Sequence, residues 1–156
     1  MPGPKRDRGF TLIELLIAIT IILIIAAFSI VKITNALIAA HEASAISSIR
    51  TINQAELIYA SSHADGGFTF DLLTLDGTAQ SGGEQSIDED LARGRKSGYT
   101  FTYIAGDRVN GTVRTYTITA EPELSRVTGR RRFYSDESGV IRANGSGPAD
   151  ASSPPL

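Results

Sequence analysis

Glu14 is the residue with the most pointed chemistry: a lone carboxylate at the head of an apolar run, Leu15 to Val31, broken only by Thr20 and Ser29. A charged side chain at membrane depth costs roughly 2.5–3.5 kcal/mol on insertion scales, so such residues are functional by default. Other chemistry-bearing types are sparse. His41-Glu42 opens like a zinc-protease helix, but the second histidine of that motif would fall at Ala45. His41 and His63 therefore read as solvated helix residues. Asp88, Glu89 and Asp90 suggest calcium, yet carboxylates in a first helical turn already answer to the helix dipole. Asp136 and Glu137 in a tight turn are too few ligands for a calcium site. No nucleophile–base pair, phosphate loop or metal-ligand spacing is visible, so the chain reads as a non-enzyme without a cofactor.

The apolar run needs a position, and its flanks supply one. Lys5, Arg6 and Arg8 precede it, which orients a spanning helix with its N-terminus in the cytoplasm. About twenty apolar residues cross roughly 30 Å of hydrocarbon. Three readings compete. A signal peptide would be cut after the run, where only Ala27-Phe28-Ser29 is passable. A plain anchor leaves Gly9-Phe10 and Glu14 unexplained. The third reading cuts before the run, between Gly9 and Phe10.

The stretch Lys5-Arg6-Asp7-Arg8-Gly9-Phe10-Thr11-Leu12-Ile13-Glu14 resembles the class III signal of type IV pilins and of the pseudopilins of type II secretion. The resemblance implies that a prepilin peptidase cuts after Gly9 and methylates the new amine of Phe10. It also implies that Glu14 pairs with the Phe10 amine of a neighbouring subunit during filament assembly. In a monomer, Glu14 lies one turn from its own helix N-terminus, where dipole and amine are both positive. The bland reading of Glu14 is a helix cap. One departure stands out: major pilins usually carry proline at the twenty-second mature residue, which is Val31 here. No proline occurs between Pro4 and Pro122, so the helix is expected to continue unbroken, and a major pilin is a weaker match than a pilin-like subunit.

Past Lys32 the pattern turns amphipathic. Ile33, Leu37, Ala40, Ile46, Ile49, Ile52, Leu57 and Tyr59 follow helical spacing, with Glu42, Ser44, Ser47, Ser48, Arg50, Gln54 and Glu56 as the wet face. The first breaker is Asp65-Gly66-Gly67, so one helix from Phe10 to Ser62 is predicted, about 75 Å long. Phe68 to Leu75 forms an apolar cluster in which Asp71 caps one helical turn. Ser81-Gly82-Gly83 reads as a loop, and Ser86-Ile87-Asp88-Glu89 as a capping box with Ser86 at the N-cap. From Tyr99 the period becomes two: Tyr99 to Ile104 and Val113 to Ala120 form a hairpin around a Gly106–Gly111 loop. Arg131–Ser135 and Val140–Arg142 supply third and fourth strands.

The expected fold is therefore α+β, a long N-terminal helix with membrane-spanning and amphipathic halves, packed on a small antiparallel β-sheet of 3–4 strands. Its divisions are leader 1–9, membrane and assembly segment 10–31, amphipathic segment 32–62, a loop region with a short helix 63–98, sheet 99–142 and flexible tail 143–156.

Net charge is −2, and loss of residues 1–9 would leave −4, so no global field favours nucleic acid. There is no cysteine, hence neither a disulfide framework nor a thiolate metal site. The one basic cluster, Arg126 with Arg130, Arg131 and Arg132, reads first as a strand edge or a contact for acidic neighbouring subunits. DNA phosphate binding is the rival. Asn110-Gly111-Thr112 and Asn144-Gly145-Ser146 match glycosylation sequons, which arise often by chance. The resemblance implies an inner-membrane protein assembled into a type IV pilus, or alternatively a type II secretion pseudopilus. Its partners would be like subunits, prepilin peptidase, inner-membrane assembly machinery and the lipid bilayer. A membrane-anchored module that takes up DNA is the rival of another class.

Overall fold

The computed structural model describes residues 9–63, 67–76 and 87–156; the basic leader, the Ser81-Gly82-Gly83 loop and Ser86 lie outside them. Two compact units emerge, divided between Ala36 and Leu37. In the first, α1 begins at Leu12, two residues later than expected, and its helical assignment runs without interruption to Ser62 in the second. A β-branched, apolar sequence without proline or glycine gives no point at which to break it. From Gly9 to Ala27 every side chain is exposed. The Thr20 hydroxyl donates to the Leu16 carbonyl at 2.7 Å, so the one polar side chain described between Leu15 and Ala27 is satisfied within its own helix. Among the described residues, α1 is the one helix long and apolar enough to cross a membrane.

The second unit packs the later turns of α1 on an antiparallel sheet. Its strands are β1 (Arg95–Lys96), β2 (Tyr99–Ala105), β5 (Tyr116–Pro122), β6 (Arg132–Asp136) and β7 (Arg142–Asn144), in that spatial order. Between β2 and β5 stands a two-stranded ribbon, β3 (Arg108–Val109) and β4 (Thr112–Val113). The expected 3–4 strands thus become five plus a ribbon. The first extra strand comes from Ser97-Gly98, a two-residue turn that folds Arg95–Lys96 back on Tyr99–Thr100. The ribbon comes from Asn110 and Gly111, whose φ values of 54° and 87° give the left-handed pair that a tight hairpin needs.

One face of the sheet is buried, as the alternation predicts: Tyr99 and Phe101, then Tyr116, Ile118 and Ala120, with Phe133. They meet Ala45, Ile49, Ile52 and Ala55 of α1. A short α2 (Glu89–Ala92) and a 3-10 turn (Leu72–Leu75) close the remaining edge with Leu72, Leu75, Leu91 and Ala92. Asp71 caps the 3-10 turn as expected, accepting from the Thr74 amide at 2.9 Å. Asp88, not Ser86, caps α2, accepting from the Leu91 amide at 3.1 Å and pairing with the Lys96 ammonium at 2.6 Å. Glu89 meets Arg93 across one turn. These pairings occupy two of the three carboxylates that suggested calcium, Asp88 and Glu89.

The segment from Ala143 departs from its expected looseness. It folds back so that the Ala143 amide donates to the Pro154 carbonyl at 3.0 Å and the Leu156 amide to the Ile141 carbonyl at 3.0 Å. Ala149 and Ser153 are buried beneath it. Its Gly, Ser and Pro content hides this, because backbone groups and one guanidinium, Arg142 to the Ser153 carbonyl at 3.0 Å, carry the contacts.

Gly129 marks a tight approach against the core of this unit. A Cβ there would lie 2.0 Å from the Tyr99 hydroxyl and 2.5 Å from its Cζ, and Tyr99 is fully buried. Gly129→Ala is therefore expected to destabilise the fold by about 2 kcal/mol through overpacking, read as a lowered Tm by circular dichroism.

Candidate functional site

Among the buried residues of α1, Ile38, Glu42, Ala45, Ile49, Ile52 and Glu56 form a stripe spaced alternately four and three residues apart, with Ala55 buried beside it. That is the stripe a packed helix presents to its partner. It includes two residues assigned to the wet face in sequence, Glu42 and Glu56, and Ser48 and Asn53 are buried beside them. Conversely Ile33, Leu37 and Leu57 are exposed. Charge misled the reading, whereas spacing alone would have found both carboxylates.

Each buried carboxylate holds a loop. Glu42 Oε1 accepts from the backbone amides of Arg130 and Arg131 at 2.9 and 3.2 Å, and its Oε2 from Arg131 Nε at 2.8 Å. Burial pushes the Glu42 carboxyl up, but the two amides and the guanidinium together outweigh it and hold it below the usual range. Two heptads further on, Glu56 accepts from the Thr69 amide at 3.0 Å and also from the Thr69 hydroxyl. Glu56 is wholly buried, and no cation pairs with it among the described residues. Burial dominates there and pushes its carboxyl up, against the Thr69 donors and Tyr103. The Tyr103 hydroxyl donates to the Thr69 carbonyl at 3.0 Å. Burial first, then the Glu56 charge, raises the phenols of Tyr103 and Tyr116. Beside them Tyr116 donates to Asn53 Oδ1 at 3.0 Å, and Asn53 Nδ2 to the Ser135 hydroxyl at 2.9 Å. These groups are fully partnered and buried, which makes them structural clamps rather than reactive centres.

The basic cluster is divided by strand alternation. Arg131 turns to α1 and Glu42, with its guanidinium also 5.4 Å from the centre of the Phe133 ring. Arg130 and Arg132 turn the other way and, with Arg126, Ser125, Gly145 and Ser146, line a cleft of about 730 Å³. The four arginines are thus one structural residue and three that face solvent together. The histidines are also engaged: His41 Nδ1 lies 2.6 Å from the Ser97 carbonyl, and His63 stacks on Tyr59 at 3.9 Å.

At the start of α1, Gly9 and Phe10 are exposed, and a Cβ on Gly9 would meet nothing within 4 Å among the described residues. Thr11 caps α1: its hydroxyl accepts from the Glu14 amide at 3.2 Å. The Glu14 carboxylate touches that same hydroxyl at 3.5 Å and is exposed. Thr11 and Glu14 thus stand in the T-x-x-E spacing of a capping box, so a capping role for Glu14 stands beside the assembly one.

Residues 4–30 match the family model described as the prokaryotic N-terminal methylation motif. The match supports recognition of a type IV pilin or pseudopilin N-terminus, and it stops well short of the sheet-bearing unit. No curated protein and no solved structure matches the chain.

Proposed function

We infer that this chain, pilin-like in its methylation motif, is a structural subunit cut by prepilin peptidase between Gly9 and Phe10 and assembled into a helical filament. The motif match over residues 4–30 carries the reading. Among the described residues nothing approaches a side chain at position 9, so none of them gives a reason for a glycine there. A peptidase with a small-residue requirement provides one. Before assembly the subunit sits in the bacterial inner membrane with its leader in the cytoplasm, as the Lys5, Arg6 and Arg8 charges direct.

Mass spectrometry of the membrane-extracted protein is expected to find N-methylated Phe10 as the first residue. An intact Met1, or a start at Ile30, overturns the reading. Glu14 is the assembly residue. Its carboxylate has no strong partner within its own helix start, and in an apolar filament core it requires the methylated amine of a neighbour. Leaving that amine unpaired costs about 3 kcal/mol, so Glu14→Ala should cut incorporation into filaments on the order of a hundredfold. Membrane insertion stays intact, as fractionation followed by shearing of filaments would report. Unchanged incorporation would exclude the pairing role.

We assign the filament to a type IV pilus. The second reading, a type II secretion pseudopilus, is favoured by the unbroken α1 and by Val31 where major pilins carry proline. Deleting the chain separates the two: loss of surface filaments supports the pilus, and loss of exported protein with filaments retained supports the pseudopilus.

A further inference from the structure

We propose that Asn110, at the tip of the β3–β4 ribbon, is a site of spontaneous deamidation through a succinimide, and that the fold holds Asn144 out of the same reaction. The inference rests on the sheet-bearing unit alone and is independent of filament assembly. The chain holds two Asn-Gly pairs, Asn110-Gly111 and Asn144-Gly145. In each, glycine places no Cβ beside the backbone nitrogen that follows the asparagine, so that nitrogen can reach the carboxamide carbon. Attack within one residue pair has the advantage of proximity, and its rate depends on how often the two atoms meet in the right geometry. Residue type makes the two pairs alike. Their surroundings do not.

Asn110 and Gly111 are both exposed, and a Cβ on Gly111 would meet nothing within 4 Å among the described residues. Among those residues no group hydrogen-bonds the Asn110 carboxamide. Its backbone stands at a φ of 54°, so cyclisation requires the turn to open. Little opposes that. The ribbon is two residue pairs long, Arg108 with Val113 and Val109 with Thr112, and so short a pairing is marginal by itself. Asn144, by contrast, is half-buried and its carboxamide is held at both ends. Oδ1 accepts from the Ser146 and Gly147 amides at 2.9 and 3.2 Å, and Nδ2 donates to the Pro148 carbonyl at 2.8 Å. Attack on Asn144 Cγ must first break these hydrogen bonds, inside the segment that folds back on the last strand.

The reaction needs only water and the chain itself. The Gly111 backbone nitrogen gives its proton to solvent and attacks Asn110 Cγ, forming a C–N bond. The carboxamide nitrogen takes up a proton and leaves as ammonia, which completes the succinimide ring. Water then adds to either ring carbonyl. Addition at Cγ breaks the new bond and leaves aspartate. Addition at the main-chain carbon breaks the original peptide bond to Gly111 and leaves isoaspartate, with the chain running through Cγ. Either product puts a carboxylate at the ribbon tip, close in sequence to Arg108, whose guanidinium lies 4.8 Å from the centre of the Phe70 ring. Isoaspartate also lengthens the main chain inside the tight turn that sets the register of β3 on β4. The product is an irreversible mark of chain age, and it alters the charge and pairing of a ribbon that borders the cleft lined by Tyr59, Phe68 and Phe70.

The test incubates the full chain in nonionic-detergent micelles in mildly alkaline buffer, beside a sample unfolded in urea. Trypsin is then applied briefly in mildly acid buffer, so that free peptides do not convert. It separates the two pairs, with Asn110 in the peptide 109–114 and Asn144 in 143–156. Mass spectrometry reads the replacement of NH2 by OH in each peptide, and an isoaspartyl methyltransferase with a labelled methyl donor reads the isoaspartate. In the folded chain Asn110 should convert at least about tenfold faster than Asn144, the factor expected from the hydrogen bonds that hold Asn144. In urea the two rates should converge, because the fold and not the neighbouring residues makes the difference. Asn110→Gln, whose attack would need a larger ring, should remove most of the acidic shift that the aged chain shows on isoelectric focusing. Equal rates in the folded chain, or faster conversion at Asn144, overturn the proposal. So does a 109–114 peptide that stays unconverted while the urea sample converts, or an acidic shift that persists at the wild-type rate in Asn110→Gln.

Discussion

Glu42→Ala is expected to lower the Tm of the sheet-bearing unit by roughly 10 °C, the steepest loss among single substitutions on the exposed-looking face of α1. The change strands two backbone amides and one guanidinium that now converge on a single carboxylate at 2.8–3.2 Å. Hydrogen bonds to a charged group contribute about 1.5–3 kcal/mol, and a lone buried donor costs about as much. A total near 3 kcal/mol corresponds to that Tm shift in a domain of this size. Glu42→Gln keeps the shape but not the charge, so its loss should be smaller. Because the Glu42 carboxyl is held below its ordinary value near 4.5, its contribution is complete above that value. It fades as pH falls through the lowered one. As pH falls through that lowered value, the melts of wild type and Glu42→Gln should therefore converge while Glu42→Ala stays below both, and a wild-type advantage over Glu42→Gln that persists in strong acid would remove the carboxylate charge from the account.

Glu56→Gln is expected to have the opposite sign. The wild-type carboxyl is raised by burial, with Thr69 supplying the hydrogen bonds. A raised group favours the protonated fold, so its contribution is full below the unfolded value near 4.5 and is lost as pH rises through the folded one. Near neutral pH the ionised residue weighs against the fold. Glutamine accepts from the Thr69 amide, offers a donor to the hydroxyl and never ionises. Its Tm should exceed wild type by several degrees at pH 7.5, and the difference should close at pH 4.5. Glu56→Ala removes the acceptor as well, leaving Thr69 unpaired and a cavity, and should cost about 2 kcal/mol. A Glu56→Gln melt below wild type at neutral pH would mean that the charge itself is required. Together the two carboxylates set a stability maximum in mild acid, above the range in which Glu42 protonates and below that in which Glu56 ionises.

Both residues looked like solvent-facing polar positions, because polarity was weighed before spacing. The stripe Ile38, Glu42, Ala45, Ile49, Ile52, Glu56 keeps a regular four-three interval only if both carboxylates are counted as buried. The signal was thus in the chain. What the chain did not carry was the identity of the partners, since Glu42 is matched by amides 88 and 89 residues away. The Asn110-Gly111 ribbon was likewise legible as a tight turn between short strands. The division of the arginine cluster was legible only in part. Alternation separates Arg131 from Arg130 and Arg132, but Arg126 joins the cleft through a loop whose left-handed backbone no local rule would assign to arginine.

The sequence by itself determined the apolar N-terminal helix, the motif at its head and the period-two strands with their buried aromatic face. Each of these is a local property of residue type and interval, and needs no partner to be read. Tertiary structure alone decided which carboxylates are buried, which arginine is structural, and that the glycine- and proline-rich end folds back on the last strand. These depend on long-range pairing of backbone amides and carbonyls, groups that every residue but proline carries alike, so the identity of the side chains does not announce them.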